Sequence, residues 1–211
     1  MKENNSGLKI FKFLLLIFII IFIIIGIKTY KKYKILLDLQ KKQNKNLNES
    51  SFYSKSIINE NQKTEIYEKF KKNNKSLVIY TNSDNEKVRI YNIDGNTTTF
   101  FENTGKSEQS ISVNNIIYSL EIKSGFDGFQ SAFRCKIKDE KYNGIACYKI
   151  SNFYDKNRIN KDGYLYVDKE TGLILESHDS PQTVEYQYNF NDIDDKIFEL
   201  PVNDSKFIQG K

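Results

Sequence analysis

A run of apolar residues near the N-terminus limits what this chain can fold into more than any other feature. Residues 13–27 carry no charge, and the run extends over residues 8–27 if Lys9 and Lys12 are allowed within it. A helix that crosses a bilayer core needs about 20 such residues, and lysines within a turn of its end can reach the headgroups. A cleaved signal peptide is the main alternative, but neither a small-x-small cleavage site nor a lipoprotein Cys follows the run. We therefore expect residues 1–29 to form an uncleaved single-pass anchor that contacts membrane lipid through residues 8–27.

The basic charge of the chain is concentrated around this segment. The 211 residues include 32 Lys or Arg and 27 Asp or Glu, for a formal net charge of +5. Residues 1–45 hold ten lysines against Glu3 and Asp38, a net charge of +8, which leaves −3 for the rest of the chain. The basic residues expected to flank the membrane are Lys9, Lys12, Lys28, Lys31, Lys32 and Lys34. Because the basic excess lies beside the anchor and not on a folded face, we expect no binding of nucleic acid.

The flanking charge opposes the topology that we favour. More lysines follow the anchor than precede it, so the positive-inside rule alone would place the following domain in the cytoplasm. Long domains, however, are translocated largely regardless of their charge. We expect an extracytoplasmic C-terminal domain, and the main argument for it is the family resemblance described below.

Residues 30–50 are expected to connect the anchor to the domain. Ile35, Leu36, Leu37 and Leu39 are spaced among lysines and glutamines in a helical pattern. One interpretation is a juxtamembrane amphipathic helix that lies on anionic headgroups. The other, which we favour, is a partly helical stalk that only separates the domain from the bilayer. The folded domain is expected over residues 51–211.

A two-residue periodicity replaces the helical one after this connection, which predicts a mainly β domain. Ten strands are predicted, over residues 52–59, 64–70, 76–81, 87–93, 97–102, 129–138, 145–152, 163–168, 173–177 and 183–190. The turns between them are too short for parallel pairing, which needs a crossover of about a dozen residues. An amphipathic helix is predicted around Val113, Ile116, Ile117 and Leu120, with Gly125 placed to end it. The predicted fold class is therefore α+β, mainly β, with an antiparallel meander over one or two helices.

Three segments in the second half of the chain carry a resemblance to a known family. Residues 140–150 resemble a hairpin in which a charged strand turns at a Gly before an aromatic residue. Residues 164–177 form a strand–turn–strand pattern with Asp168 before the turn, and residues 198–201 resemble a closing segment. Together they resemble the lipoprotein-carrier and sigma-factor-regulator domains of the LolA, LolB and RseB type, over roughly residues 50–202.

The resemblance implies an unclosed (half) barrel of antiparallel strands over helices, with an apolar cavity and a place on the outer side of a membrane. Members bind acyl chains, lipoproteins or partner proteins and are not enzymes. A narrower similarity, to the GerS-like germination lipoproteins of spore-forming bacteria, implies an alternative function as a regulatory partner of a cell-wall (spore cortex) amidase in sporulation or germination. The chain departs from both groups in its uncleaved anchor, which argues against shuttling between membranes.

The residues that most catalytic and metal sites require are scarce. The chain has one His, two Cys and no Trp, which excludes a His-rich metal site and a multi-Cys zinc site. His178 lies between Ser177 and Asp179, but neighbours in sequence cannot converge as a catalytic triad, and we expect His178 in an exposed turn. We predict no enzymatic activity, no cofactor and no metal site.

The two cysteines are expected to be free thiols. If residues 143–144 form a two-residue hairpin turn, Cys147 faces Glu140 and Cys135 faces Asn152. The two thiols are then about five residues apart along the hairpin, or ~16 Å, whereas a disulfide needs Cα atoms within about 7 Å. A bulge or a wider loop would restore the pairing.

Aromatic residues, all Tyr and Phe, make up 14% of the chain and offer a candidate ligand site. The residues proposed to line a hydrophobic cleft are Tyr80, Tyr91, Phe100, Phe101, Phe129 and Phe133. For each of them, a place in the core of the meander stays the open alternative. The predicted function is a membrane-tethered, non-catalytic binding or sensing domain. Its ligand would be a hydrophobic or lipid-like group in the cleft or an envelope protein at a strand edge.

Overall fold

One long helix, α1, joins the anchor to the folded domain. In the computed structural model it runs without a break from Asn5 to Leu47; the structure describes residues 5–49, 51–109, 120–153 and 163–201. Its 43 residues extend over about 65 Å at 1.5 Å per residue, roughly twice the ~30 Å of a bilayer core. The large apolar side chains from Ile10 to Ile27 are exposed, and the most apolar window has a mean hydropathy of 3.3. By length and composition, α1 is able to cross a membrane.

The environment of α1 changes beyond the apolar run. Leu36 and Leu39 are 0% and 1% exposed and belong to the main core of the domain. Residues 30–47 are thus helical, but they form neither a free stalk nor a helix that lies on headgroups, because one side of this segment is inside the domain. The domain predicted to begin at residue 51 takes its central helix from the segment that precedes it.

The described residues include eleven strands, which form one unclosed antiparallel sheet. The strands are β1 (Ser51–Glu60), β2 (Lys63–Lys72), β3 (Lys75–Thr81), β4 (Lys87–Ile93), β5 (Asn96–Phe101), β6 (Lys106–Gln109), β7 (Lys136–Tyr142), β8 (Ile145–Ser151), β9 (Tyr164–Asp168), β10 (Ile174–Asp179) and β11 (Gln182–Asn189). Their order in the sheet is β6-β5-β4-β3-β2-β1-β11-β10-β9-β8-β7. The predicted fold class is confirmed, while β6 is a strand that the sequence pattern did not reveal.

The β7–β8 hairpin has the register that the sequence predicts. Tyr142 pairs with Ile145, and Glu140 pairs with Cys147. The two turn residues between these strands have φ angles of 49° and 83°, and a type I′ turn requires positive φ at both positions. The Asn-Gly pair at residues 143–144 supplies side chains that tolerate this conformation.

The second helix, α2 (Gly125–Arg134), occupies a segment for which the sequence pattern predicts a strand over residues 129–138. The strand prediction is wrong up to Arg134, and β7 begins only at Lys136. The buried residues of α2 are Gly128 and Ala132, one helical turn apart. Their small side chains allow the helix to approach α1 closely, and this packing outweighs the β propensity of the aromatic residues beside them.

The predicted helix around Val113–Leu120 cannot be compared directly, since residues 110–119 lie outside the described residues. Leu120 itself is buried but not helical. Gly125, which was predicted to end a helix, begins α2.

A core cluster lies on each face of the sheet. We call the face that packs against α1 the helix face; its cluster joins α1 to β1 and β7–β11. We call the opposite face the outer face. There, Leu77 and Tyr91 pack against Phe198 of a 3₁₀ helix (Asp195–Phe198), so the C-terminal segment covers β3 and β4 on the outer face.

The turn between β9 and β10 holds α1 in place. Lys42 Nζ donates a hydrogen bond of 2.8 Å to the carbonyl oxygen of Lys169. Gly172 has a φ of +72°, and a Cβ atom at this position would lie 2.2 Å from the carbonyl oxygen of Leu39. Only glycine therefore lets the backbone of α1 lie directly against this turn.

We expect Gly172→Ala to destabilise the domain much more than Gly95→Ala. Both glycines have positive φ, +72° and +85°, so alanine costs about 1–2 kcal/mol of backbone strain at each. Nothing lies within 4 Å of a Cβ at Gly95, whereas a Cβ at Gly172 overlaps the backbone of α1. For Gly172→Ala we expect a total loss above about 3 kcal/mol. Unfolding of the full chain in lipid nanodiscs, followed by near-ultraviolet circular dichroism, measures both losses. Equal losses would show that α1 does not pack against the turn.

Candidate functional site

Strands β1–β5 carry three rows of side chains across the helix face, and the strand register defines these rows. The aromatic row consists of Ser56, Tyr67, Tyr80, Val88 and Phe101. The central row consists of Ser54, Lys69, Val78, Ile90 and Thr99. The third row consists of Phe52, Lys71, Ser76, Asn92 and Thr97.

This half of the helix face differs from the half that α1 covers. The core cluster that contains the buried residues of α1 includes no residue of β2–β5. Within the described parts of the chain, the aromatic and central rows of these strands lie outside that cluster, although Ser54, Val78 and Thr99 of the central row are themselves buried.

Two tyrosines dominate the aromatic row. The rings of Tyr67 and Tyr80 are 4.6 Å apart between centroids, and both side chains are half-buried. Burial, with a smaller effect of the Glu65 charge, raises the pKa of Tyr67 to about 12. Burial also raises the pKa of Tyr80. Both phenols are protonated at neutral pH and offer a neutral, mainly apolar surface.

A lysine interrupts the central row. Ser54, Val78 and Thr99 are 4%, 9% and 8% exposed, so small side chains form the floor of this row. Lys69 lies between Ser54 and Val78 in the register and is half-buried. Burial and, less strongly, the charge of Lys71 lower the pKa of the Lys69 amine. The ammonium group is thus partly desolvated, and an anion placed beside it would stabilise its charge.

The chemistry of the two rows is complementary to an amphipathic anion. The aromatic row offers apolar contact area, and the neighbouring Lys69 offers a cation at its margin. Ligand sites are commonly of this kind, with a mainly apolar lining and a few polar groups that orient the ligand.

The structure brings only part of the predicted cleft together. Tyr80 and Phe101 share the aromatic row, with Val88 of β4 between them. Tyr91 is 1% exposed on the outer face and packs with Phe100 under the 3₁₀ helix, so this pair fills a core.

The other two predicted cleft residues, Phe129 and Phe133, lie on α2. The aromatic residue that joins Tyr80 in the structure is Tyr67, which was not among the predicted cleft residues. The sequence contained a signal, because Tyr67 and Lys69 are two residues apart in a predicted strand and therefore lie on the same face. Only the cross-strand register shows which residues of the neighbouring strands they meet.

A groove of about 390 Å³ lies on the outer face, between β1, β2 and the C-terminal segment. Its apolar lining comes from Tyr53, Phe70, Ile193 and Ile197. Tyr53 donates a hydrogen bond of 2.7 Å to Glu68, and both burial and this contact raise the pKa of the phenol. The rim is acidic, with Asp192 and Asp194.

His178 lies in β10 and not in an exposed turn as predicted. Its Nδ1 atom is 2.8 Å from Thr183 Oγ1, and its ring stacks on Tyr164 at 5.0 Å. Ser177 points to the opposite face, where its hydroxyl is 3.4 Å from that of Tyr186. The three adjacent residues 177–179 therefore do not form a triad. Among the described residues, no group of three or more His, Cys, Asp or Glu side chains is placed to hold a metal ion.

Both cysteines are free thiols with 0% exposure. Burial raises the pKa of both thiols, and the charge of Glu140 raises that of Cys147 further. A higher pKa means less thiolate at neutral pH, so both are expected to react slowly with thiol reagents in the folded chain.

The lysines predicted to flank the membrane occupy two environments. Those with exposed side chains are Lys12, Lys28, Lys31 and Lys34. Lys32 is half-buried, and its Nζ atom donates a hydrogen bond of 2.7 Å to the carbonyl oxygen of Cys135. The side chain of Lys9 lies outside the described residues.

Comparison with protein-family models found no match, and comparison with curated proteins found none either. Among solved structures, the chain is similar to MucB (14% identity, TM-score 0.47, 82% of this chain and 64% of that one). It is also similar to MucB in complex with MucA(peri) (13% identity, TM-score 0.46, 78% and 59% covered). A DUF1329 family protein from Desulfovibrio piger aligns over 82% of this chain and 97% of its own, at 12% identity and a TM-score of 0.33. The chain thus spans about three fifths of the length of the MucB chains.

We expect Lys69→Met to stabilise the folded chain at neutral pH. The folded-state pKa of Lys69 is below its unfolded value, so folding penalises the ammonium form. That free-energy penalty has its full size at pH values below the folded-state pKa, and it decreases as the pH rises above that pKa. The gain in thermal stability from Lys69→Met should therefore be largest near neutral pH and smaller at about pH 10.

The matched control is Lys63→Met, at a position on the same side of the same strand that is exposed. It should leave the thermal unfolding temperature nearly unchanged at both pH values. If the two variants behave alike, Lys69 is not desolvated.

Proposed function

We propose that this chain is a membrane-anchored binding domain for an amphipathic anion with an acyl-like tail. The observation that carries the proposal is the register, which places the partly desolvated Lys69 beside the aromatic row of Tyr67, Tyr80 and Phe101 on the half of the helix face beside α1. The tail would lie along the aromatic row, and the anionic head would contact Lys69.

The arrangement favours binding over a purely structural role. Burial lowers the pKa of Lys69, so the folded environment disfavours its ammonium form relative to water. An anion that contacts Lys69 would favour the ammonium form and accept a charge-assisted hydrogen bond from it, which is stronger than a neutral one. The surrounding apolar area adds affinity in proportion to what the ligand covers.

The anchor supports a ligand that comes from the bilayer. Because α1 continues into the core without a flexible linker, the domain stays next to the membrane in which such amphiphiles dissolve. We further propose an extracytoplasmic place for the domain. This rests on the family resemblance of residues 140–150 and 164–177, and it runs against the lysine-rich flank at Lys28, Lys31 and Lys34.

A protein partner is the second ligand class that the sequence suggested. Neither the structure nor the comparisons support the GerS-like branch of the resemblance or an amidase partner in sporulation or germination. That branch is not part of the proposal.

Photo-crosslinking tests the ligand class. A fatty acid with a diazirine on its chain, irradiated with the full chain in nanodiscs, should leave adducts on peptides from residues 63–101 as well as on residues 10–27. Lys69→Met should reduce the adducts on residues 63–101 about tenfold, the value of one charge-assisted hydrogen bond. Adducts on the anchor should stay constant and provide the internal reference. Mass spectrometry of the digested protein measures both sets.

Two controls separate the contributions of head and tail. A fatty alcohol with the same diazirine chain lacks the anion, so Lys69→Met should not change its adducts, whereas Tyr80→Ala should reduce those of both probes. Tyr164→Ala removes an aromatic side chain from the outer face and should change neither. Adducts confined to residues 10–27 would contradict the proposed binding surface.

Surface labelling tests the topology, and it needs an introduced thiol because the two native cysteines are buried. Asp84 lies exposed in the turn between β3 and β4, so Asp84→Cys should react readily. A membrane-impermeant maleimide should label this variant on intact cells and leave the unsubstituted chain unlabelled. Labelling of Asp84→Cys only after lysis would place the domain in the cytoplasm and overturn the proposed topology.

A further inference from the structure

Helix α2 presents its large apolar side chains outward. Phe126 and Phe133 are 80% and 56% exposed, and Phe129 between them is half-buried. The buried residues of the helix are Gly128 and Ala132. The helix thus reverses the usual pattern of a surface helix, in which the large apolar residues face the core.

The contacts of α2 place it near the point at which α1 would leave a bilayer. A Cβ atom on Gly128 would lie 2.7 Å from the ring of Tyr33. At the other end of α2, the carbonyl oxygen of Cys135 accepts a hydrogen bond from Lys32. Both ends of α2 therefore contact the same turn of α1.

The distance to the bilayer follows from helix geometry. Tyr33 is six residues beyond Ile27, the last residue of the apolar run, which is about 9 Å along α1. The headgroup layer on each side of a bilayer core is roughly 5–8 Å thick. Side chains that extend from α2 at this level are within reach of the headgroups and of the boundary with the acyl chains.

The charges around this turn also match a membrane surface. Exposed cations on the same stretch of α1 are Lys28, Lys31 and Lys34, and Lys123 and Lys136 lie beside α2 in the sequence. Lys123 is also 3.8 Å from Asp127, which reduces its contribution. Basic residues beside exposed aromatic ones are the composition that interfacial helices use on anionic lipid.

We infer that α2 is a second membrane contact, in which Phe126 and Phe133 insert among the headgroups of the leaflet from which α1 emerges. The occupant of this apolar face is the same bilayer that holds α1, and so the inference rests on the membrane anchor of the proposed function. Contact at α1 and at α2 fixes the domain in one orientation, because a single helix alone leaves rotation about its axis free.

Single tryptophans test this inference, and the chain offers a clear background because it contains no Trp. Phe126→Trp and Phe133→Trp are made in the full chain, in nanodiscs of phosphatidylcholine and phosphatidylglycerol. Both positions are exposed, so the larger ring meets no packing constraint. We expect blue-shifted emission for both variants. Lipid brominated near the headgroup end of the acyl chain should reduce this emission more than lipid brominated near the terminal methyl.

Two further variants make the outcomes distinct. The emission of Phe18→Trp, in the apolar run, should be quenched most strongly by the lipid brominated near the terminal methyl. If neither lipid quenches it, α1 does not span the bilayer and the anchor is refuted. Phe190→Trp, at the end of the domain far from the anchor, should be quenched by neither lipid. If Phe126→Trp and Phe133→Trp behave like Phe190→Trp while Phe18→Trp is quenched, α2 does not touch the bilayer. Blue-shifted emission without bromine quenching would mean that a protein covers α2, and it would also overturn the inference.

Discussion

The burial of Leu36 and Leu39 beneath the sheet is the interaction on which the rest of the structure depends. Each fully buried leucine contributes about 1.5–3 kcal/mol, and the two lie in the cluster that joins α1 to β1 and β7–β11. Asn46, near the end of the helix, adds a hydrogen bond of 2.8 Å to the carbonyl oxygen of Thr171. Because α1 is continuous with the apolar run, the helix that supports the fold is also the helix that is able to cross the membrane. Folding of the domain and its position at the bilayer are therefore coupled.

The size of the sheet explains why one half of its helix face lacks helix packing in the described structure. Neighbouring strands lie about 4.8 Å apart, so eleven strands extend over ~48 Å, whereas a helix with its side chains is only about 10–12 Å wide. One helix is too narrow to cover the six strands β1 and β7–β11, and α1 shares the core cluster on these strands with Ala132 of α2 and with Leu120 and Ile122. On the outer face, the C-terminal segment covers β3 and β4 instead. The aromatic and central rows of β2–β5 lie outside the cluster that contains α1, and the central row includes Lys69.

Local chemistry is enough to predict much of the fold. The Asn-Gly pair at residues 143–144 predicts the β7–β8 register from the sequence alone, because a two-residue turn allows only one register of the two strands. The candidate site is harder to predict. Tyr80 and Phe101 share a row while Tyr91 and Phe100 lie on the other face. A strand pattern shows that adjacent residues alternate, but only the pairing of β3 with β4 and of β4 with β5 decides which residues meet.

The predicted strand over residues 129–138 failed up to Arg134, where α2 ends, and this failure has a physical cause that bears on function. Phe126, Phe129 and Phe133 follow a helical spacing, but α2 packs against α1 through Gly128 and Ala132. The small residues specify the helix contact, so the aromatic residues are not needed for the core. Large apolar side chains that the fold does not use are a liability in water, and a half-buried lysine such as Lys69 departs from the usual apolar composition of a core. Departures from local rules of this kind are expected where function requires them. Both departures fit the proposal of a domain that contacts lipid.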